Sequence, residues 1–330
     1  MANEQLGFGW EAESEKPAHA GRPARAARLA ERLGSLAQRG IYLGTSSWKY
    51  PGWLGQIYDP ARYRTRKKFS QKKFDQECLG EYATVFPTVC GDFAFYQFPS
   101  AANWAQTFAQ VPAGFQFSLK VPEDVTVERF PDLPRYGARA GQANPGFMDA
   151  ALVREKLLEP LEPYRDRLGV LIFEFGTIHE GPTREPQAFA ARLDGLLAEL
   201  PTERFRFAVE VRNREFLDPA GGYLDVLQRR GTAHCFNSWT RMPSVAEQLR
   251  IPGVFTAPHV AARFLLRPGR SYQQAVDLFS PYERIGDPYP EGRASLHELI
   301  ERALAEQRML FAFVNNRFEG NAIETIESLE

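Results

Sequence analysis

Residues 205–213 read FRFAVEVRN, and the alternation in that stretch decides the fold. Successive side chains of a β-strand point to opposite faces. Phe207, Val209 and Val211 share one face, while Ala208, Glu210 and Arg212 share the other. The first face suits packing against helices. The second begins small and turns charged toward the C-terminal end, as expected of a strand lining the interior of a barrel whose chemistry sits at its strand ends.

Seven further runs have the same length and character: Ile41–Ser47, Thr88–Phe95, Phe115–Val121, Gly169–Phe175, Ala233–Asn237, Val260–Leu266 and Met309–Asn315. Helical periodicity occupies most intervals between them, at Asn103–Gln110, Ala151–Arg167, Glu185–Leu200, Tyr223–Arg230 and Ser295–Gln307, with a last helix from Ala322. Alternating strands and helices build a parallel sheet, and eight such units close it into an α/β fold of the (β/α)8 TIM-barrel class. An open doubly wound sheet is the alternative, but no G-x-G-x-x-G follows any run. Before the first run, residues 22–39 set Leu29, Leu33 and Leu36 at helical spacing with Gly40 as C-cap. The expected organisation is a polar extension and helix over 1–40, with residues 1–21 loose, and one barrel domain over 41–330.

Two connections exceed ordinary turns. One runs from Trp48 to Glu77 and the other from Pro122 to Phe147, and both follow strands, where long loops carry function. The second, with Arg129, Arg135 and Arg139 among Pro and Gly, reads either as a lid or as disordered.

The chain has 330 residues and a net charge of −1, so no global field recruits nucleic acid or a membrane. Its amino terminus lacks the apolar region of a secretory signal, and no apolar run has membrane-spanning length. Cys78, Cys90 and Cys235 form no C-x-x-C pair, which fits reduced thiols and a cytoplasmic location.

Strand parity gives the inward polar set. Gln116, Ser118 and Lys120 share one face, Glu174 lies on the side of Ile172, and Thr88, Cys90 and Asp92 fall together. Asp92, Glu174 and Glu210 therefore face Lys120 and Arg212, either as a reacting pocket or as a buried salt-bridge network. A divalent metal is the weaker idea: His179 follows Glu174 in a loop, His234 sits in a strand, and no H-E-x-x-H or similar spacing occurs. No nicotinamide, flavin or other cofactor motif is present, nor a G-x-S-x-G elbow. The first long loop interleaves Arg62, Arg64, Arg66, Lys67, Lys68, Lys72 and Lys73 with Tyr58, Tyr63, Phe69 and Phe74. That composition suits a nucleic-acid strand, or a solvated loop whose aromatics pack on the barrel.

In order along the chain, IYLGTSSWKYPGW, DFAFYQFP, GFQFSLKVPEDVT, GVLIFEF, FAVEVRN and FVNNRFEGNA together resemble domain-of-unknown-function family 72, the YecE-like family, over about residues 41–323. The resemblance implies a β/α barrel and no established reaction. It carries recurrent positions onto Gly44, Trp48, Tyr50, Trp53, Phe95, Tyr96, Lys120, Glu210, Arg212, Asn315 and Asn316. Departures fall at Cys90 and Asp92, at Thr126–Val127, and at Glu174, Gly176 and Thr177, where the family often has other residues.

The resulting expectation is an enzyme of hydrolase or isomerase type acting on a small polar or anionic molecule. Glu210, Glu174 and Asp92 would serve acid–base chemistry, a dry pocket raising a carboxyl pKa. Lys120 and Arg212 would bind the anion, Tyr96, Asn237, Asn315 and Asn316 would add hydrogen bonds, and Trp48, Tyr50 and Trp239 would form a stacking wall. A metal-dependent phosphodiesterase acting on nucleic acid and a non-catalytic binding barrel are the alternatives.

Overall fold

The alternation at Phe207–Val211 is realised as a strand buried on both faces, one of eight parallel strands in a closed barrel. In the computed structural model, which describes residues 23–329, they are β1 (Ile41–Thr45), β2 (Thr88–Gly91), β3 (Gln116–Lys120), β4 (Leu168–Phe175), β5 (Phe207–Val211), β6 (Ala233–Ser238), β7 (His259–Phe264) and β8 (Met309–Val314). Each pairs with its neighbours in chain order, and β8 returns to β1. All eight expected runs are strands.

Parity divides the core in two. Phe207, Val209 and Val211 join the shell between strands and helices, with Phe117, Leu119, Phe173 and Phe236. Cys90, Val170, Ile172, Ala208, Cys235, Ala261, Phe311 and Phe313 form a separate apolar cluster inside the barrel. The close strand spacing shows at Gly44, where an added Cβ would come 2.3 Å from the Thr88 carbonyl oxygen.

Three elements differ from expectation. The run from Thr88 stops at Gly91 because Phe93 folds back over it: a Cβ at Gly91 would meet the Phe93 ring at 2.6 Å. The helix from Ala150 toward Arg167 is broken, with a π turn at Arg154–Leu158 and a 3-10 turn at Glu162–Arg167. Pro160 and Pro163 lack the N–H that would continue the ladder. Within the first long connection, Gln71–Tyr82 is a helix capped by the Ser70 side chain, which accepts from the Lys73 amide.

The helix Ala24–Gln38 buries Ala26, Leu29 and Leu33 in the same outer shell as the barrel. Arg25 pairs with Glu327 of the last helix, Ala322–Glu327. Gly40 takes φ +83°, as its capping role requires. The polar extension expected at 1–21 lies outside the described residues. Among the described residues, no helix is long and apolar enough to cross a membrane.

Candidate active site

Register creates an electrostatic problem at the C-terminal end of the barrel. Glu174 on β4 lies directly beside Glu210 on β5, and like charges so placed repel. The remedy comes from across the interior. Arg263 on β7 extends its guanidinium so that Nη1 donates to both carboxylates. Arg212, one turn of parity beyond Glu210, adds a second bridge: its Nη2 lies 2.9 Å from Glu174 Oε1 and 3.1 Å from Glu210 Oε1. Lys120 supplies a third cation, with Nζ 3.2 Å from Glu174 Oε2 and 3.7 Å from Asp92 Oδ1.

Lys120, Glu174, Glu210 and Arg263 are buried; Asp92 is not, with its side chain 49% exposed. Aromatic faces complete the setting. Phe95 lies under Lys120 Nζ at 3.5 Å and Trp239 under the Arg212 guanidinium at 3.8 Å, distances at which the ring quadrupole stabilises a cation. The residues expected to converge here (Asp92, Lys120, Glu174, Glu210, Arg212 and Trp239) do meet.

The acid–base expectation needs correcting at Glu174. Burial alone would raise its pKa, but Arg212, Lys120 and Arg263 outweigh burial and hold it well below the usual carboxylate range. Glu174 is therefore a fixed anion at neutral pH. Burial also drives the Cys90 thiol up to about 12 and raises Cys235, so neither is a thiolate nucleophile. His234 and His259 are held neutral, their pKa values lowered to about 4 by burial. His234 meets the Tyr223 hydroxyl at 3.1 Å and the Gln248 side-chain oxygen at 3.3 Å, a satisfied core histidine. Among the described residues, no group of three or more His, Cys, Asp or Glu is arranged to hold a metal.

Several buried polar atoms at this end have no hydrogen-bond partner among the described residues: Asn237 Oδ1, Arg263 Nε, Asn316 Nδ2 and Trp48 Nε1. Asn237 is held by its amide nitrogen, 3.0 Å from the Val211 carbonyl oxygen. Asn316 accepts from the Ala322 amide, and Asn315 from the Arg317 amide, so Asn315 shapes a turn rather than offering itself to a ligand. Unpaired buried polar atoms are costly; these four lie at the mouth, while others, such as Trp104 Nε1 and Arg167 Nε, lie elsewhere in the molecule.

Two aromatics sit differently from expectation. Tyr96 is 54% exposed, because the chain turns after Gly91 and puts Phe95 on Lys120 instead. Trp48 is buried, packing edge-on against Phe93, so it is part of the floor rather than an open wall. Tyr50 meets Tyr282 edge-on at the rim, and its phenol is pushed up to about 12 by burial, partly opposed by Arg317; it stays protonated.

Arg263 was missing from the sequence-based site. Its stretch, HVAARFLL, reads as an apolar run, although Ala261, Arg263 and Leu265 share one parity and small-then-charged is the signature already seen at Ala208 and Glu210. The two long loops are folded. Between Pro122 and Phe147, Tyr136 and Arg135 hold Glu123, Arg139 pairs with Asp124, and Asn144 bonds the Asp124 and Val127 carbonyls. In the first loop, Tyr58, Tyr63 and Phe74 are buried, with Tyr63 donating to Glu81. Those three rings are thus unavailable for base stacking; only Phe69 is exposed, beside the exposed cations from Arg62 to Lys72.

A family model described as "Protein of unknown function DUF72" matches residues 42–330. The chain belongs to this family. Solved structures of DUF72 proteins share its fold. A crystal structure from Enterococcus faecalis V583 at 3.10 Å superposes with a TM-score of 0.60 at 16% identity, covering 88% of this chain and 94% of that one. A second from the same organism at 2.52 Å gives 0.58 at 18% identity, covering 88% and 95%. One from Thermotoga maritima MSB8 at 2.20 Å gives 0.57 at 18% identity, covering 88% and 97%. No curated protein matches the chain.

Proposed function

We propose that this DUF72 barrel is an enzyme of hydrolase or isomerase type that acts on a small anionic molecule at the C-terminal mouth. The observation carrying this reading is the coincidence, at the C-terminal mouth, of a six-member charge network, four of whose members are buried, with orphaned polar atoms in and beside it. A network built only for rigidity gains from satisfying every buried donor and acceptor. Here Asn237 Oδ1, Arg263 Nε and Asn316 Nδ2 are left over, as a site awaiting a ligand or water would leave them.

The roles divide by exposure and pairing. Arg263 and Glu210 set the positions of Arg212 and Glu174, and Arg212 presents a cation to the ligand. Glu174, held ionised, keeps Lys120 in place. Asp92, half-exposed and paired, among the described charged residues, with Lys120 alone, is the carboxylate placed to act as acid or base toward a bound molecule. The protonated Tyr50 phenol lies near enough to Asp92 to feel its charge and offers a hydrogen-bond donor at the rim.

A turnover screen of anionic metabolites on the full chain tests this. Active compounds should lose turnover by about a hundredfold or more in Asp92→Asn, the span of acid–base catalysis, with KM little changed. Arg212→Met should raise KM. Full turnover and binding in Asp92→Asn, Glu210→Gln and Arg212→Met together would remove the assignment.

A further inference from the structure

Beside the charge network lies a cleft of about 270 Å³ between the loops that follow β4, β5 and β6. Four arginines line it: Arg184, Arg212, Arg214 and Arg241. Its one carboxylate, Glu215, is occupied, lying 2.7 Å from Arg184 Nη1 and accepting from Asn213. Arg212 spends Nη2 and Nε on Glu174 and Glu210. Arg214 and Arg241 are exposed and make no ion pair with any described residue, although Arg214 is felt at longer range by Glu247. The cleft therefore carries about two uncompensated positive charges.

Its walls are pinned. Asn213 accepts from the Ile178 amide at 2.7 Å and donates to the Ile178 carbonyl at 3.0 Å, which ties the loop after β4 to the loop after β5. The wider cleft on the far side adds the acidic Glu185 and Asp218, so the positive potential is concentrated next to Arg212.

We infer that this cleft seats the phosphate group of a phosphate-bearing small molecule whose remainder lies over the barrel mouth. A phosphate monoester carries nearly two negative charges at neutral pH, matching the two uncompensated arginines. Its oxygens accept the paired N–H donors that guanidinium groups offer, for which lysine is a poorer substitute. Arg212 belongs to both regions: it lines the cleft and bridges Glu174 and Glu210. A ligand anchored here would extend past Trp239 toward Lys120 and Asp92. The inference rests on the mouth being the reacting site and names the ligand's anionic group.

Titration calorimetry of the full chain with inorganic phosphate at low salt tests it, on wild type, the Arg214→Met/Arg241→Met double variant, and Lys120→Met. Arg214 and Arg241 are exposed, so the double variant should melt with the wild type. Saturable binding is expected in the wild type, weakened on the order of tenfold or more in the double variant and little changed in Lys120→Met. Binding lost in Lys120→Met but retained in the double variant would overturn the inference by placing the anion over the barrel axis, and would leave the mouth as the reacting site. No phosphate binding at all would also overturn it, leaving the metabolite screen to judge the mouth independently with carboxylate and other anionic compounds.

Discussion

The same strands fill the two ends of this barrel in opposite ways. Toward the N-terminal end the interior holds Ile172, Ala208, Cys235, Ala261 and Phe311, an apolar plug. Two residues further along four of these strands, Ile172 gives way to Glu174, Ala208 to Glu210, Cys235 to Asn237 and Ala261 to Arg263. Titratable groups follow the division. At the lower end His259, and on the outer face of β6 His234, are buried without an opposite charge beside them and held neutral. At the upper end, Glu174 and Arg263 are buried together and held ionised. Burial without a partner removes charge, whereas burial with partners fixes it.

The largest effect expected from breaking this contrast is at Arg263. Arg263→Met leaves Glu174 and Glu210 side by side without the group that bridges them, and urea unfolding should show a loss of about 3–5 kcal/mol. At the lower end, Phe311→Ala should cost a similar or slightly smaller amount, about 3–5 kcal/mol, while ligand affinity at the mouth stays within about twofold, as expected of a distant and independent site. If Phe311→Ala abolished binding as thoroughly as a mouth variant, the two ends would not be separable.

Acid should act in two stages. The folded pKa of His234 and His259 is lowered to about 4 from an ordinary 6.5, so between those values the unfolded chain binds more protons. Stability is full above about pH 6.5 and falls as pH drops toward 4, by on the order of 3 kcal/mol per histidine. Glu174 then contributes below its ordinary value, since its stabilisation is lost only as it takes up a proton. The slope of unfolding free energy against pH between 4 and 6.5 should roughly halve in His234→Phe. An unchanged slope would mean that His234 is protonated in the fold.

The smallest effect is the sharpest test of the orphaned atoms. Asn237→Leu removes an unsatisfied oxygen but also the donor to the buried Val211 carbonyl, so its stability cost should be about 1–3 kcal/mol. Ligand affinity should also fall, because the oxygen is left over for the ligand. A large stability loss with unchanged affinity would make Asn237 structural.

Most of the barrel was legible because its signal is local: each strand's parity is written in five to eight consecutive residues. Lys120, Glu174, Glu210 and Arg212 followed from the same parity. What the chain does not spell out is register and turn direction. That Glu174 sits beside Glu210 depends on how β4 pairs with β5, so the need for Arg263 is invisible until the pairing is known. Tyr96 lies exposed past the end of β2, where Phe93 packs back over Gly91, a turn that strand parity does not encode. The helix Gln71–Tyr82 hid in a basic loop, and its start is marked only by Ser70. The arginine cleft draws Arg184, Arg214 and Arg241 from three separate loops, and no one-dimensional pattern joins them.

The most direct test of the account is the thermal shift of the full chain against a panel of anionic small molecules, run in parallel on Arg212→Met. The charge network as a binding site predicts that at least one compound raises the wild-type melting temperature with a saturable dose dependence, and that the same compound leaves Arg212→Met unmoved. Stabilisation of equal size in both proteins would contradict it.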